Sequence, residues 1–328
     1  MKLAAALGIV YVVWGSTYLA IAVADRSLPP FLMLSVRFLI AGALLYWWSA
    51  RRGDVAAERP GRRQWRSAAI VGGALLVVDT GGVAWAELRV SSGIAALIVA
   101  SVPLFMALLD RACFGVRLPL GGVVGLVLGL LGVGLLVGAS GHVDMVGVAV
   151  LLVASFAWAA GSTYARVAPL PRRPFLSAAM QMLCAGAMLA VVGIARGELG
   201  QVHPGAISPA SLAAVLFLIV FGSLVAFTAY GWLLKHAPTR LLSTYAYVNP
   251  AVAVFLGWAF IGEHVGGREL AAGLVILSSI GLLVFAREPR KAPEQTPESL
   301  PFHIREQEAR GAEIRTVPRL AELARIAA

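Results

Sequence analysis

Two charged residues, Arg37 and Asp79, lie well inside long apolar runs of the chain. A lone charge in a membrane span costs on the order of 2.5–3.5 kcal/mol even by the milder insertion scales. Such groups therefore pair, line water or bind something. Arg37 sits six residues below the start of its run at Phe31, and Asp79 seven residues below the end of its run at Ala86. At 1.5 Å per residue both are roughly 9–11 Å below one surface, so they can meet. Arg37 could then bind a carboxylate or gate that side, with Asp79 as its resting partner. The alternatives are a buried structural ion pair, or Arg37 on a backbone carbonyl while Asp79 lines water alone. Trp14, Tyr18, Trp158, Tyr245 and Asn249 lie deep in other apolar runs, and Gln181 is the repeat counterpart of Arg37. Together these eight residues are candidate lining for an aromatic, weakly polar cavity, which suits amphipathic organic solutes better than bare ions.

Pro103 and Pro250 fall about halfway along two further apolar runs at matching positions. A proline there removes a backbone hydrogen bond and kinks the helix. Freed carbonyls are tolerated in lipid only where they face protein or a wet cavity. Matching breaks in two halves of a chain point to a binding site; an ordinary packing kink is the plain alternative.

Missing chemistry is also informative. None of the three lysines follows a glycine, so no Walker A loop is present and ATP hydrolysis by this chain is not expected. All five histidines lie in expected loops or the tail, and no metal-ligand spacing occurs inside a span. Neither a metal site, a cofactor nor a catalytic residue is expected. Cys113 and Cys184 both sit in apolar runs and read as small buried hydrophobes rather than a disulfide or metal pair.

The elements that would hold these residues follow from composition. Hydrophobic residues make up 59% of the 328 and charged residues 13%, against about 25% charged in soluble domains, and the mean hydropathy is +0.82. Ten spans of suitable length are expected, at 3–23, 31–49, 67–86, 92–114, 119–139, 145–164, 175–195, 211–234, 241–262 and 270–286. The first resembles a signal peptide, but its counterpart at 145–164 cannot be one, so it is read as retained. Gly15–Tyr18 recurs as Gly161–Tyr164, Pro30–Leu32 as Pro174–Leu176, Trp85 as Trp232 and Pro103 as Pro250, at shifts of 146, 144, 147 and 147 residues. One five-helix unit is thus used twice, 1–139 and 145–286, and an odd helix number inverts the second copy. Gly121, Gly125 and Gly129 form a small stripe for close packing, within the bundle or against a second protomer.

Alternate loops hold 13 basic residues against 4 in the others. The positive-inside rule puts both termini in the cytoplasm, and the net charge of +10 is read as topology rather than nucleic-acid binding. From 287 to 328 the chain turns polar and proline-rich, a cytoplasmic, disordered tail with a candidate surface helix at 319–327.

On these residues the chain resembles the drug/metabolite transporter superfamily in its ten-helix form with two EamA-type repeats. The resemblance rests on Trp14–Tyr18, Arg37-Phe38, Ser92–Leu97 leading to Pro103-Leu104, Tyr247–Pro250 and Gly262-Glu263, and it covers about 3–286. Trp85-Ala86-Glu87 is similar to the subgroup labelled inner-membrane drug/metabolite exporters. It implies an all-α integral membrane fold, ten transmembrane helices in two inverted repeats, the bacterial cytoplasmic membrane, and export of small metabolites or amphipathic drugs. Asp79 departs from the neutral residue the resemblance leads one to expect, which leaves substrate and coupling preference open. The leading expectation is a secondary exporter working by alternating access on a small-molecule substrate in the bilayer. Proton coupling, exchange and a homodimer stay open. A passive channel, a membrane sensor and a lipid-modifying enzyme are the competing readings.

Overall fold

Apolar runs too long for a soluble core fold as rods in the computed structural model, which describes residues 3–115, 120–139, 144–237, 239–242, 244–262 and 266–285. The expected tail and Glu263 lie outside these residues. Among the described residues ten long helices follow in order: α1 Leu3–Ala24, α2 Pro30–Arg51, α3 Arg62–Glu87, α4 Ser92–Phe114, α5 Leu120–Ala139, α6 Met145–Ala165, α7 Pro174–Ala195, α8 Pro209–His236, α9 Tyr245–Ile261 and α10 Gly267–Phe285, with short helical turns at Asp54–Glu58, Glu198–Gln201, Pro204–Ala206 and Thr239–Leu242. Among the described residues seven are long and apolar enough to cross a membrane, and shorter apolar stretches, Val248–Ile261 and Leu270–Ser279, lie within α9 and α10. Large apolar side chains such as Phe260, 72% exposed, cover the outside, as a lipid-facing surface requires.

Helix starts are written locally. Pro30 and Pro174 open α2 and α7 at a position whose N–H would be unpaired anyway. Asp144 caps α6, its carboxylate accepting from the N–H groups of Val146 and Gly147 at 2.8 and 3.0 Å. Those two backbone N–H groups and Arg89, 2.7 Å away, hold the Asp144 carboxyl below the usual carboxylate range, the Gly147 bond first. Ser208 caps α8 through the N–H of Ser211 at 3.0 Å, with Pro209 following it.

The packing carries the symmetry of the sequence. Helix α2 lies along its own counterpart α7, and α5 along α10. A Cβ on Gly42 would sit 3.0 Å from the backbone nitrogen of Leu183, and one on Gly186 3.0 Å from that of Leu39. These are the same contact seen twice, once from each repeat, and each needs glycine for the backbones to approach. Around this axis α1 packs on α8 and α9, as α6 packs on α3 and α4. The glycine stripe on α5 is used inside the bundle at Gly129, where a Cβ would lie 2.8 Å from Ser279 Oγ of α10.

Two irregularities recur at equivalent places. Helix α3 is π-helical over Gly73–Thr80 and α8 over Leu218–Phe227. Such i→i+5 turns are rare and frequent at functional sites. The expected proline kinks need correction. Helix α4 breaks at Ala100 and Ser101, between Ser92–Val99 and Val102–Phe114. Pro103 sits in the first turn of the second piece, where its missing N–H costs nothing. Pro250 lies inside α9, where it removes one intrahelical bond.

Candidate functional site

The crossing of α1, α2, α3, α4, α6, α8 and α9 leaves a cavity of about 660 Å³ not filled by protein atoms, part of it open to solvent. Seven of the eight residues expected to line a site border it: Trp14, Tyr18, Arg37, Asp79, Trp158, Tyr245 and Asn249. Gln181 does not. It borders a second, smaller cavity with Ser177, and its Nε2 donates to Ser177 Oγ at 3.0 Å. The inverted repeat explains the separation, because the counterpart of a residue facing one side must face the other.

One end of the first cavity is an aromatic cluster. Trp14 meets Trp158 edge-on at 5.2 Å and Tyr245 edge-on at 5.8 Å, and Tyr230 lies 4.9 Å from Trp14. Edge-to-face geometry is favourable for aromatic pairs. Tyr230, 1% exposed, is the hub. Its hydroxyl accepts from Trp158 Nε1 at 3.0 Å and shares a 2.9 Å hydrogen bond with Ser162 Oγ. Asn249, with its amide nitrogen turned to donate, reaches the carbonyls of Tyr11 at 3.1 Å and Tyr245 at 3.3 Å. It thereby ties α9 to α1 beside the Pro250 gap.

The two charges border the same cavity, and here the expected pair is corrected. Arg37 Nε donates to Ser223 Oγ at 2.9 Å, on the π-helical stretch of α8, and its guanidinium lies 4.8 Å from the Phe38 ring centre. A Cβ on Gly222 would sit 2.8 Å from Arg37 Nη2, so glycine is what lets the guanidinium pass. Arg37 Nη1 and Asp79 Oδ1 are buried with no hydrogen-bond partner among the described residues. The ion pairs among the described residues are Arg89–Asp144, Arg166–Asp110 and Arg173–Asp54. Rise per residue does not fix azimuth: α2 packs its arginine toward α8, while Asp79 enters from α3. The site therefore presents one guanidinium N–H and one carboxylate oxygen to a shared space.

Sequence reasoning missed Tyr230 and Ser223. Tyr230 lies two residues before Trp232, whose ring stacks on His236 at 4.4 Å. The Arg89 guanidinium lies 4.4 Å from the ring centre of Trp85. Past the end of α1, Asp25 has both carboxylate oxygens buried without a hydrogen-bond partner among the described residues. Burial first, and Glu198 second, push its carboxyl up to about 8. Glu198 itself accepts from the N–H groups of Phe31 and Leu32 at the start of α2.

Comparison with known proteins places these features in a family. The EamA-like transporter family matches residues 2–138 and again 145–285. The inner membrane transporter YedA of Escherichia coli K12, itself uncharacterized, is 37% identical over 301 residues, 89% of this chain and 95% of its own. A probable amino-acid metabolite efflux pump of Salmonella typhimurium is 24% identical over 86% of this chain and 95% of its own. A probable terminal-alkyne amino-acid exporter of Streptantibioticus cattleyicolor is 23% identical over 89% and 96%. A solved crystal structure superposes with a TM-score of 0.63 at 21% identity, covering 85% of this chain and 95% of that one.

Proposed function

The chain belongs to the EamA-like transporter family, and on that premise we propose that it exports small amphipathic metabolites, amino-acid-like compounds foremost, by alternating access through the first cavity. It is a multi-pass inner-membrane transporter. One observation carries the reading: groups from both repeats converge on one cavity, with Arg37 Nη1 and Asp79 Oδ1 unpartnered beside an aromatic cluster. The guanidinium suits a carboxylate, the Asp79 carboxylate suits an ammonium, and Trp14, Trp158 and Tyr245 suit an apolar side chain. Two relatives carry names that mention amino-acid metabolites or an amino acid, which supports the same class. Both termini are placed in the cytoplasm on the 13-to-4 loop count. Cysteine tags in the 2–3 and 7–8 loops then label from opposite faces, and same-face labelling would refute that topology.

A thermal-shift comparison tests the substrate class, because a ligand that binds only the folded state raises its apparent stability. L-Phenylalanine should shift the melting temperature of the purified protein most. Phenethylamine and 3-phenylpropionate, each lacking one charge, should shift it less. Equal shifts from all three, or none from any, would refute a two-charge site.

A further inference from the structure

The second cavity is the first one's counterpart, turned to the basic-loop face. Four of its lining positions are repeat equivalents of first-cavity positions: Gln181 of Arg37, Phe227 of Thr80, Tyr230 of Val83 and Leu75 of Gly222. Its lining reaches the 6–7 loop at Leu170. The charges, however, do not follow the symmetry. Arg37 and Asp79 become Gln181 and Ala226, while Arg166 and Lys235 of the second cavity correspond to Ala20 and Leu88.

Both cations are held in ways that leave binding capacity. Arg166 Nη1 is 2.8 Å from Asp110, but its Nη2 is buried with no partner among the described residues. Lys235 Nζ donates to backbone carbonyls of Pro171 and Arg172, at 3.0 and 3.5 Å. The neighbouring carboxylate of Glu58 is engaged elsewhere, accepting from the N–H groups of Arg172 and Arg173 at 2.8 Å each. One positive charge of the cavity is therefore unmatched by a contacting carboxylate among the described residues. Tyr230, hydrogen-bonded to Trp158 and Ser162, stands between this space and the aromatic end of the first cavity. The equivalent positions on the other side, Val83, Val12 and Ser16, hold no such knot; Ser16 Oγ donates to the carbonyl of Val12 instead.

We propose that the second cavity is an anion-selective entry vestibule, where Lys235 and Arg166 take the carboxylate of an outgoing solute before it passes Tyr230. This rests on the transport reading above. Charge-selective thiol labelling tests it without transport. Gly231 lines the vestibule, and a Cβ there meets nothing within 4 Å. Gly231→Cys in a Cys113→Ser, Cys184→Ser background thus puts a thiol in the cavity without a clash. The protein is treated with an anionic and a cationic methanethiosulfonate reagent. The account predicts an anionic-to-cationic rate ratio about tenfold above that of free glutathione. That ratio should fall at least about threefold in Lys235→Gln, and benzoate should slow the anionic reagent only while Lys235 is present. Arg166→Gln should act the same way, but it also strands Asp110, so Lys235→Gln is the deciding variant. A ratio equal to that of glutathione, a ratio indifferent to Lys235→Gln, or an unreactive thiol would each overturn the proposal. Such a failure leaves the transport reading standing. Loss of transport with charge selectivity intact would refute the transport reading and leave only an anion-attracting cavity.

Discussion

The two cavities occupy equivalent places in two copies of one fold, yet they differ in chemistry. The first pairs a free guanidinium N–H and a free carboxylate oxygen with an aromatic cluster. The second is lined by Arg166 and Lys235 and walled by a hydrogen-bonded tyrosine. The backbone pattern of π-helical stretches and shared glycine contacts is common to both halves. A duplicated backbone therefore supplies the two cavities, and unequal side chains give them different chemistry. The energetic reason is specific: a charge in a span is costly unless it is used, so the one-sided placement of Arg37 and Asp79 is not explained by a symmetric structural brace.

The comparison can be broken most directly at Arg37 and Gln181. Arg37→Gln should lower transport about 10- to 100-fold, the worth of one charged hydrogen bond. Its fold should survive, because no contacting carboxylate is left behind. Gln181→Ala should leave transport within about twofold, since its amide bonds only Ser177. Equal losses in the two variants would make the cavities functionally alike. Two glycines of α8 give a finer test. Gly222→Ala pushes a methyl against the Arg37 guanidinium and should cost about tenfold in transport by misplacing it. Gly231→Ala meets open space and should stabilise the helix by about 0.5–1 kcal/mol, read as a higher melting temperature. The wall between the cavities comes next. Tyr230→Phe leaves Trp158 Nε1 without its acceptor and should cost about 1–3 kcal/mol of stability, seen as a lower melting temperature, whereas Val83→Ala, at the equivalent place, breaks no hydrogen bond.

A further prediction concerns Asp25. Its folded-state value of about 8 lies above the reference 3.8, so the folded protein holds the proton more tightly than the unfolded chain. That contribution is complete below about 4 and is lost as pH rises through 8. Melting temperature should fall from pH 5 to pH 8 in the wild type and fall less in Asp25→Asn. An identical slope in both would remove Asp25 from the account.

Spans, repeats and most of the cavity lining were legible in the sequence because lipid imposes long apolar runs and duplication leaves marker residues such as Pro30 and Pro174. Trp14, Trp158, Tyr245 and Asn249 could be singled out because they are bulky or polar groups deep in such runs. The partner of Arg37 was not legible: rise per residue gives depth, while the choice of Ser223 over Asp79 depends on how α2 is rotated against α8. The π-helical stretches leave no mark in an all-apolar segment, since every face of the helix reads alike. Tyr230 carries no mark in the sequence that separates it from other aromatics, and only the approach of α6 makes it a hub. The break in α4 falls at Ala100 and Ser101, ahead of the proline that announced it.

Counterflow in proteoliposomes tests the central claim most directly. Vesicles carrying the protein and loaded with unlabelled L-phenylalanine are placed in a trace of the labelled compound. A carrier that binds substrate between Arg37, Asp79 and the aromatic cluster predicts saturable uptake, stimulated by the internal load and lost in Arg37→Gln protein that is still folded. Uptake that rises linearly with concentration, ignores the internal load, or persists unchanged in Arg37→Gln would contradict it.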